Sequence, residues 1–169
     1  MALTMALMYE GYELEKTTIA DDYLVYSYDG DFANGYVGDP KSVEGAGCFP
    51  PTIVETANSF LEEQNSDKKA MDASGQPFEN LLQYVAANRP VLVWTTMYML
   101  EPEYTDENFM IDGKKYYWYG LEHCVVLSGY DLDRGVVLIN DPLDGIVERD
   151  LEEFRELYNE TGKYAVVLM

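Results

Sequence analysis

Two side chains in the second half of the chain, His123 and Asp141, have the types and spacing to share a proton. They lie in the runs EHCVVLSGYD and GVVLINDP, and the turn-like stretch between the runs predicts a β-hairpin. A loop centred on Leu132 would set them directly opposite one another, with Cβ atoms about 4.5–5.5 Å apart on one sheet face. The carboxylate would then fix the imidazole tautomer and leave its second nitrogen as a general base.

The same spacing also fits a purely structural interpretation. A slip of one residue in the hairpin register would move the two side chains to opposite faces of the sheet. His123 would then be an edge-of-sheet histidine, and Asp141 would only begin the turn at Pro142. The sequence alone leaves both interpretations open.

The two cysteines, Cys48 and Cys124, are the candidate thiols. Cys48 comes just before a helix predicted to start at Pro50, where the helix dipole would favour a thiolate, so Cys48 is an alternative nucleophile. A buried or loop thiol is the ordinary alternative. Cys124 follows His123 and faces the other side of the strand, which predicts a core position. A disulfide bond between the two cysteines stays open.

Aromatic residues crowd the approach to the histidine, in the run KKYYWYGLEH. Trp118 and Tyr119 would suit one wall of a substrate-binding cleft beside His123, since aromatic faces bind extended peptides and sugars, or they would simply pack in the core. Trp94 ends a predicted central strand and is assigned to the core.

Charge and composition exclude several classes of partner and cofactor. The chain has 31 acidic and 11 basic residues, a net charge of −20, which repels nucleic acid and anionic lipid surfaces. His123 is the only histidine, so a zinc site of His and Cys lacks ligands, and we expect no metal. No nucleotide-binding fingerprint predicts a cofactor. No apolar run spans a bilayer, and the amino end does not resemble a secretion signal.

Helices dominate the first half of the chain. Helix formers at 2–9 precede Gly11, a second short helix is predicted over 17–24, and the Gly-rich stretch 26–47 predicts a long loop. Apolar residues at helical spacing predict two further helices, from Pro50 to about Gln64 and over 78–88.

Strands dominate the second half. The runs VLVWTT, HCVVLSGY, GVVLIND and YAVVLM are β-branched and of strand length, and one helix capped by Asp150 interrupts them. Helices first and antiparallel strands afterwards predict an α+β fold, and 169 residues fit a single domain.

The hairpin residues also carry a family resemblance. The run from His123 to Asp131, followed by Asn-Asp-Pro at 140–142, resembles the C-39-like cysteine peptidases of the papain superfamily. The segments ALTMALMYEGYELEKTTIADDYL, GCFPPTIVETANSFL, PVLVW and GKYAVVLM extend the resemblance over nearly the whole chain. It implies a papain-like fold, peptide or protein substrates, His123 as base and Asp141 as the residue that orients it.

The resemblance also implies a departure from the family pattern. Family members carry their nucleophilic cysteine at the start of the first helix, and that position falls just before Met1, with the oxyanion-stabilising glutamine further upstream. We therefore expect either an N-terminally truncated domain or a pseudo-enzyme, inactive as it stands.

Three functional hypotheses follow for this incomplete catalytic triad. The leading one is a cysteine peptidase-like domain that transfers acyl groups from peptide bonds to a thiol. The alternatives are a non-catalytic peptide- or cell-wall-binding module and a transglutaminase-like acyl transferase, and all three share one fold. The resemblance implies an extracellular or cell-surface location, while the oligomeric state is not predicted.

Overall fold

Helices build the first part of the molecule, as the sequence predicts. The computed structural model describes residues 1–42 and 45–169, so residues 43 and 44 of the predicted loop lie outside the described residues. Helix α1 spans Ala2–Tyr9, and α2 spans Pro50–Glu63 with prolines in its first turn, where their missing N–H groups are not needed. The predicted helix over 17–24 is instead one π-helical turn, Ile19–Tyr23.

Two more helices pack against the sheet later in the chain. Helix α3 spans Phe78–Ala86, and α4 spans Leu151–Glu160. The Asp150 side chain accepts hydrogen bonds from the backbone N–H groups of Glu152 and Glu153, at 2.9 and 3.0 Å. The predicted cap of this helix is therefore confirmed.

A six-stranded antiparallel sheet forms the centre of the described chain. Its spatial order is β1-β8-β2-β5-β6-β7, and every neighbouring pair is antiparallel. The strands span, in chain order, Ala70–Asp72 (β1), Val91–Thr96 (β2), Glu122–Asp131 (β5), Val136–Asp141 (β6), Gly145–Asp150 (β7) and Ala165–Leu168 (β8). Together with the helices, this sheet confirms the α+β fold class.

The position of strand β2 between two layers of helices explains why the run VLVWTT is mostly apolar. Leu92 and Trp94 join the apolar cluster that includes α1 and α2, whereas Val91 and Val93 join the cluster that includes α3 and α4. All six residues of the strand are buried. Helices on both faces of the sheet thus make a central strand apolar throughout rather than alternating.

A second, two-stranded sheet was not predicted from the sequence. Strands β3 (Glu103–Ile111) and β4 (Lys114–Gly120) pair as an antiparallel hairpin. Most of β3 is exposed, so its sequence, EYTDENFMI, lacks the alternation of apolar and polar residues that identifies a half-buried strand. Among the described residues, no helix is long and apolar enough to cross a membrane.

Candidate active site

His123 and Asp141 meet at one end of the sheet. The distance from His123 Nε2 to Asp141 Oδ1 is 2.6 Å, and both residues are buried, with exposed fractions of 8% and 5%. Asp141 Oδ1 also accepts the backbone N–H of Leu143 at 2.8 Å, which fixes the carboxylate from a second direction. Because Nε2–H donates to the carboxylate, Nδ1 is the nitrogen that can exchange a proton with a reacting group.

The hairpin register that produces this contact differs from the predicted one. Asp131 pairs with Val136, so the turn contains four residues instead of being centred on Leu132. Asp131 Oδ1 accepts the N–H groups of Asp133 and Arg134, which stabilises this longer turn. The prediction that His123 and Asp141 are directly opposite is therefore wrong.

A β-bulge at Ser128 returns the two side chains to the same face. Beyond the bulge, Val126 pairs with Asn140, and extending that register by one residue sets Asp141 beside Val125. His123 lies two residues before Val125 on β5, so it shares that face and is the diagonal neighbour of Asp141. Without the extra residue, Asp141 would lie opposite Val126 and face away from His123.

A cavity of about 280 Å³ adjoins the histidine. Its walls come from the start of α1, the segment that leads into α2, and the first residues of β5. The cavity residues with side chains that could take part in chemistry are Lys16, Tyr36, Cys48, Glu122, His123 and Cys124. His123 therefore borders a partly open space in which a reacting group could approach its ring.

Cys48 lies where the sequence predicts, directly before the N-cap residue Phe49 of α2. Its environment does not favour a thiolate, because burial raises the pKa of the Cys48 thiol well above its usual value. Cys48 is only 4% exposed, and its carbonyl accepts the indole N–H of Trp94 at 2.9 Å. The structure thus favours the ordinary buried thiol over the alternative nucleophile.

We expect Cys48 to react with iodoacetamide at pH 6 at least tenfold more slowly than a free thiol, because a buried neutral thiol has little thiolate. Peptide mapping by mass spectrometry would distinguish Cys48 from Cys124, and the protein unfolded in urea gives the rate of accessible thiols. Labelling of Cys48 in the folded protein faster than in urea would contradict this expectation and support Cys48 as the nucleophile.

Cys124 is less completely buried than its predicted core position implies. It is half-buried, packs against the α1 and α2 cluster, and also lines the cavity. Burial and the neighbouring carboxyl of Glu122 raise the pKa of its thiol. Both cysteines are free, so the structure contains no disulfide bond between them.

The aromatic residues before the histidine separate into two environments. Tyr119 is buried, and its hydroxyl donates to the backbone oxygen of Thr95 at 3.0 Å. Trp118 is half-buried and lies over Phe32, with 3.9 Å between ring centroids. Neither lines the cavity beside His123, and Trp94 is 1% exposed, as expected of a core residue. Core packing therefore explains the positions of Trp118 and Tyr119 better than substrate binding.

Glu122 is a site residue that was not predicted from the sequence. It precedes His123 on β5, pairs with Thr96 of β2 and lines the cavity. Burial raises the pKa of its carboxyl to about 8. A glutamate at the start of a strand looks like an ordinary solvent-exposed residue in sequence, so its position became evident only from the packing. The described residues contain no group of three or more His, Cys, Asp or Glu that could hold a metal ion.

Comparisons with known proteins agree with this architecture, which is that of the papain-like cysteine peptidases. The model of the Peptidase_C39 like family matches residues 1–166, and the chain belongs to this family. A Bacillus anthracis protein whose crystal structure is described as a C39-like peptidase superposes with a TM-score of 0.80 at 27% sequence identity, covering 99% of this chain and 86% of the other.

A second relative is longer than this chain. The uncharacterized protein YvpB of Bacillus subtilis (strain 168) is 30% identical over 175 residues, an alignment that covers 99% of this chain. The chain spans 66% of the length of that relative.

Proposed function

We propose that the chain is a peptidase-like domain for thiol acyl transfer on peptide bonds, with His123 as general base and acid and Asp141 as the positioning residue. The distance of 2.6 Å between His123 Nε2 and Asp141 Oδ1, beside a cavity, carries this proposal. A buried imidazole held by a carboxylate, with its other nitrogen free, is the arrangement that activates a nucleophile.

The reaction follows from the roles of these two residues. His123 Nδ1 takes the proton of a thiol, and the thiolate attacks the carbonyl carbon of the peptide bond. The imidazolium then returns the proton to the leaving amine, which departs as the acyl-thioester forms. Water, deprotonated by the same nitrogen, hydrolyses the thioester and regenerates the thiol. Asp141 keeps Nε2 protonated and stabilises the imidazolium in each step.

The proposal includes inactivity of residues 1–169 by themselves. The sequence has two cysteines, and both are thiols whose pKa burial raises. Neither lies at the amino-terminal end of α1, although Met1, the N-cap residue of that helix, lines the same cavity as His123. We therefore expect no hydrolysis of peptides by these 169 residues above the background rate.

Supplying a thiol at the start of α1 tests the proposal. We expect Met1→Cys, produced by cleavage of a removable leader, to react with iodoacetamide at pH 6 about tenfold faster than glutathione, because His123 and the helix dipole favour the thiolate. Mass spectrometry distinguishes the introduced thiol from the two buried ones. A rate equal to that of glutathione would contradict the role of His123 as a base.

A non-catalytic peptide-binding module is the second candidate, and the two buried native thiols favour it. It predicts that the wild-type chain binds peptides while the thiol of Met1→Cys remains unactivated. A transglutaminase-like transferase uses the same base and acyl-thioester, and it would transfer the acyl group to an added amine in preference to water.

A further inference from the structure

The cavity beside His123 has the size and lining of a pocket for one side chain. Its volume of about 280 Å³ lies just below the range for small-ligand sites, roughly 300–1,000 Å³. Ile19, Leu24, Ile53 and Leu92 contribute aliphatic side chains to its walls. Such walls suit an apolar side chain of a bound ligand. A polar group among them would determine which chemical group fits at the end of that side chain.

The carboxyl of Glu122 is such a polar group, and the absence of a side chain at Gly47 leaves space beside it. A Cβ atom added at Gly47 would lie 2.3 Å from Glu122 Oε2 and 3.1 Å from the Trp118 ring. Gly47 also has a φ of +133°, which side chains rarely adopt. Glycine at this position therefore keeps the cavity wall beside the carboxyl free of any side chain.

Among the residues that the structure describes, none supplies a cation to Glu122. In the ranges 1–42 and 45–169, no lysine or arginine forms an ion pair with it. Lys16 lines the cavity, but its side chain is exposed and makes none of these ion pairs. His123 is already bonded to Asp141.

The remaining titratable groups around the cavity do not replace that cation. Burial raises the pKa of the Cys48, Cys124 and Tyr36 side chains, so these three are neutral near pH 7. Met1 also lines this space, and burial lowers the pKa of its amino group, which disfavours the charged form. The carboxyl of Glu122 is therefore the acidic group in the cavity without a fixed counter-charge.

We propose that Glu122 is a specificity-determining residue that binds the cationic end of a lysine or arginine side chain of the peptide. This inference rests on the peptide substrate class of the function proposed above. The aliphatic part of a lysine would lie along the apolar walls, while its ammonium group reaches the carboxylate. The net charge of −20 would also attract a basic peptide to this surface.

Peptide binding to the wild-type chain and to Glu122→Gln tests this proposal. The probes are three fluorescein-labelled peptides, acetyl-Ala-Ala-X-Ala-Ala-amide extended by the dye, in which X is Lys, norleucine or Glu. At pH 8, fluorescence polarisation should show that the wild-type chain binds the Lys peptide about tenfold more tightly than the norleucine peptide. Glu122→Gln should reduce that ratio to about one while leaving the norleucine peptide unchanged.

Glu107→Gln is the matched control, because it removes the same charge from the exposed strand β3. It should keep the tenfold preference. Equal binding of the Lys and norleucine peptides to the wild type, or an equal loss in both variants, would overturn the role of Glu122 without affecting the acyl-transfer proposal. Absence of all peptide binding would overturn both the role of Glu122 and the assignment of peptides as substrates.

Discussion

His123→Ala is expected to slow acyl transfer to a thiol at position 1 by about 100-fold, which is the usual contribution of a general base. The measurement compares Met1→Cys with Met1→Cys/His123→Ala, using the burst of 4-nitrophenol from 4-nitrophenyl acetate at pH 7. The reason is geometric: both residues line one cavity, and the second ring nitrogen of His123 is bonded to Asp141. Asp141→Asn in the same background should slow the burst about tenfold, since an amide holds the imidazole less firmly.

Asp144→Asn provides the control for this series. Asp144 lies in the turn after Asp141, its side chain is exposed, and it forms an ion pair with Arg149 at 2.7 Å. The control removes one negative charge near the site and should leave the burst rate within twofold. Equal burst rates with and without the His123→Ala substitution would show that the imidazole does not reach the thiol, and the acyl-transfer proposal would have to be abandoned.

Glu122→Gln is expected to stabilise the protein in alkaline solution. Burial raises the pKa of Glu122 to about 8, above the ordinary value of 4.5. Between pH 4.5 and 8 the folded protein therefore holds a proton that the unfolded chain has released, so this group lowers stability as pH rises through that range. The loss is absent below about pH 4.5 and complete above about pH 8. Glutamine cannot ionise, so Glu122→Gln does not lose stability in this way.

The size of the effect follows from the pKa difference. A tenfold change in an equilibrium is worth about 1.4 kcal/mol, which sets an upper limit of about 5 kcal/mol. Because the side chain retains some contact with water, we expect Glu122→Gln to be more stable than wild type by about 2–4 kcal/mol at pH 9. Urea denaturation at pH 5 and pH 9 measures this difference. The same difference at both pH values would contradict a partly buried, unpaired carboxyl.

Much of the fold could be predicted because its signals are local. The central strand, the cap of α4 and the apolar spacing of α2 and α3 depend on neighbouring residues, and the structure agrees with each. Strands β3 and β7 were missed because they are largely exposed and pair at the periphery, so burial imposes little pattern on their sequences. Their identity as strands depends on backbone pairing with other strands.

The candidate site was harder to predict than the fold. The choice of His123 and Asp141 came from residue types, but their register depends on a turn length and a bulge that residue types do not specify. The position of Glu122 in the cavity could not be predicted, because segments far apart in sequence form the cavity walls. The sequence does not decide whether Trp118 and Tyr119 lie in the core or in a cleft, because both environments accept aromatic rings.

The bulge at Ser128 and the alternation of side chains restrict how the two strands of the hairpin can change in length. Because successive residues of a strand point to alternate sides, adding or deleting one residue between His123 and Asp141 on a single strand turns the acid away from the ring, and a change of two restores the face but shifts the acid by about 7 Å along the strand. Evolutionary length variation in these two strands should therefore add or remove residues in matched pairs, one on each strand, wherever the imidazole remains in use. A relative with an unmatched change would have to recruit a different residue to hold its histidine.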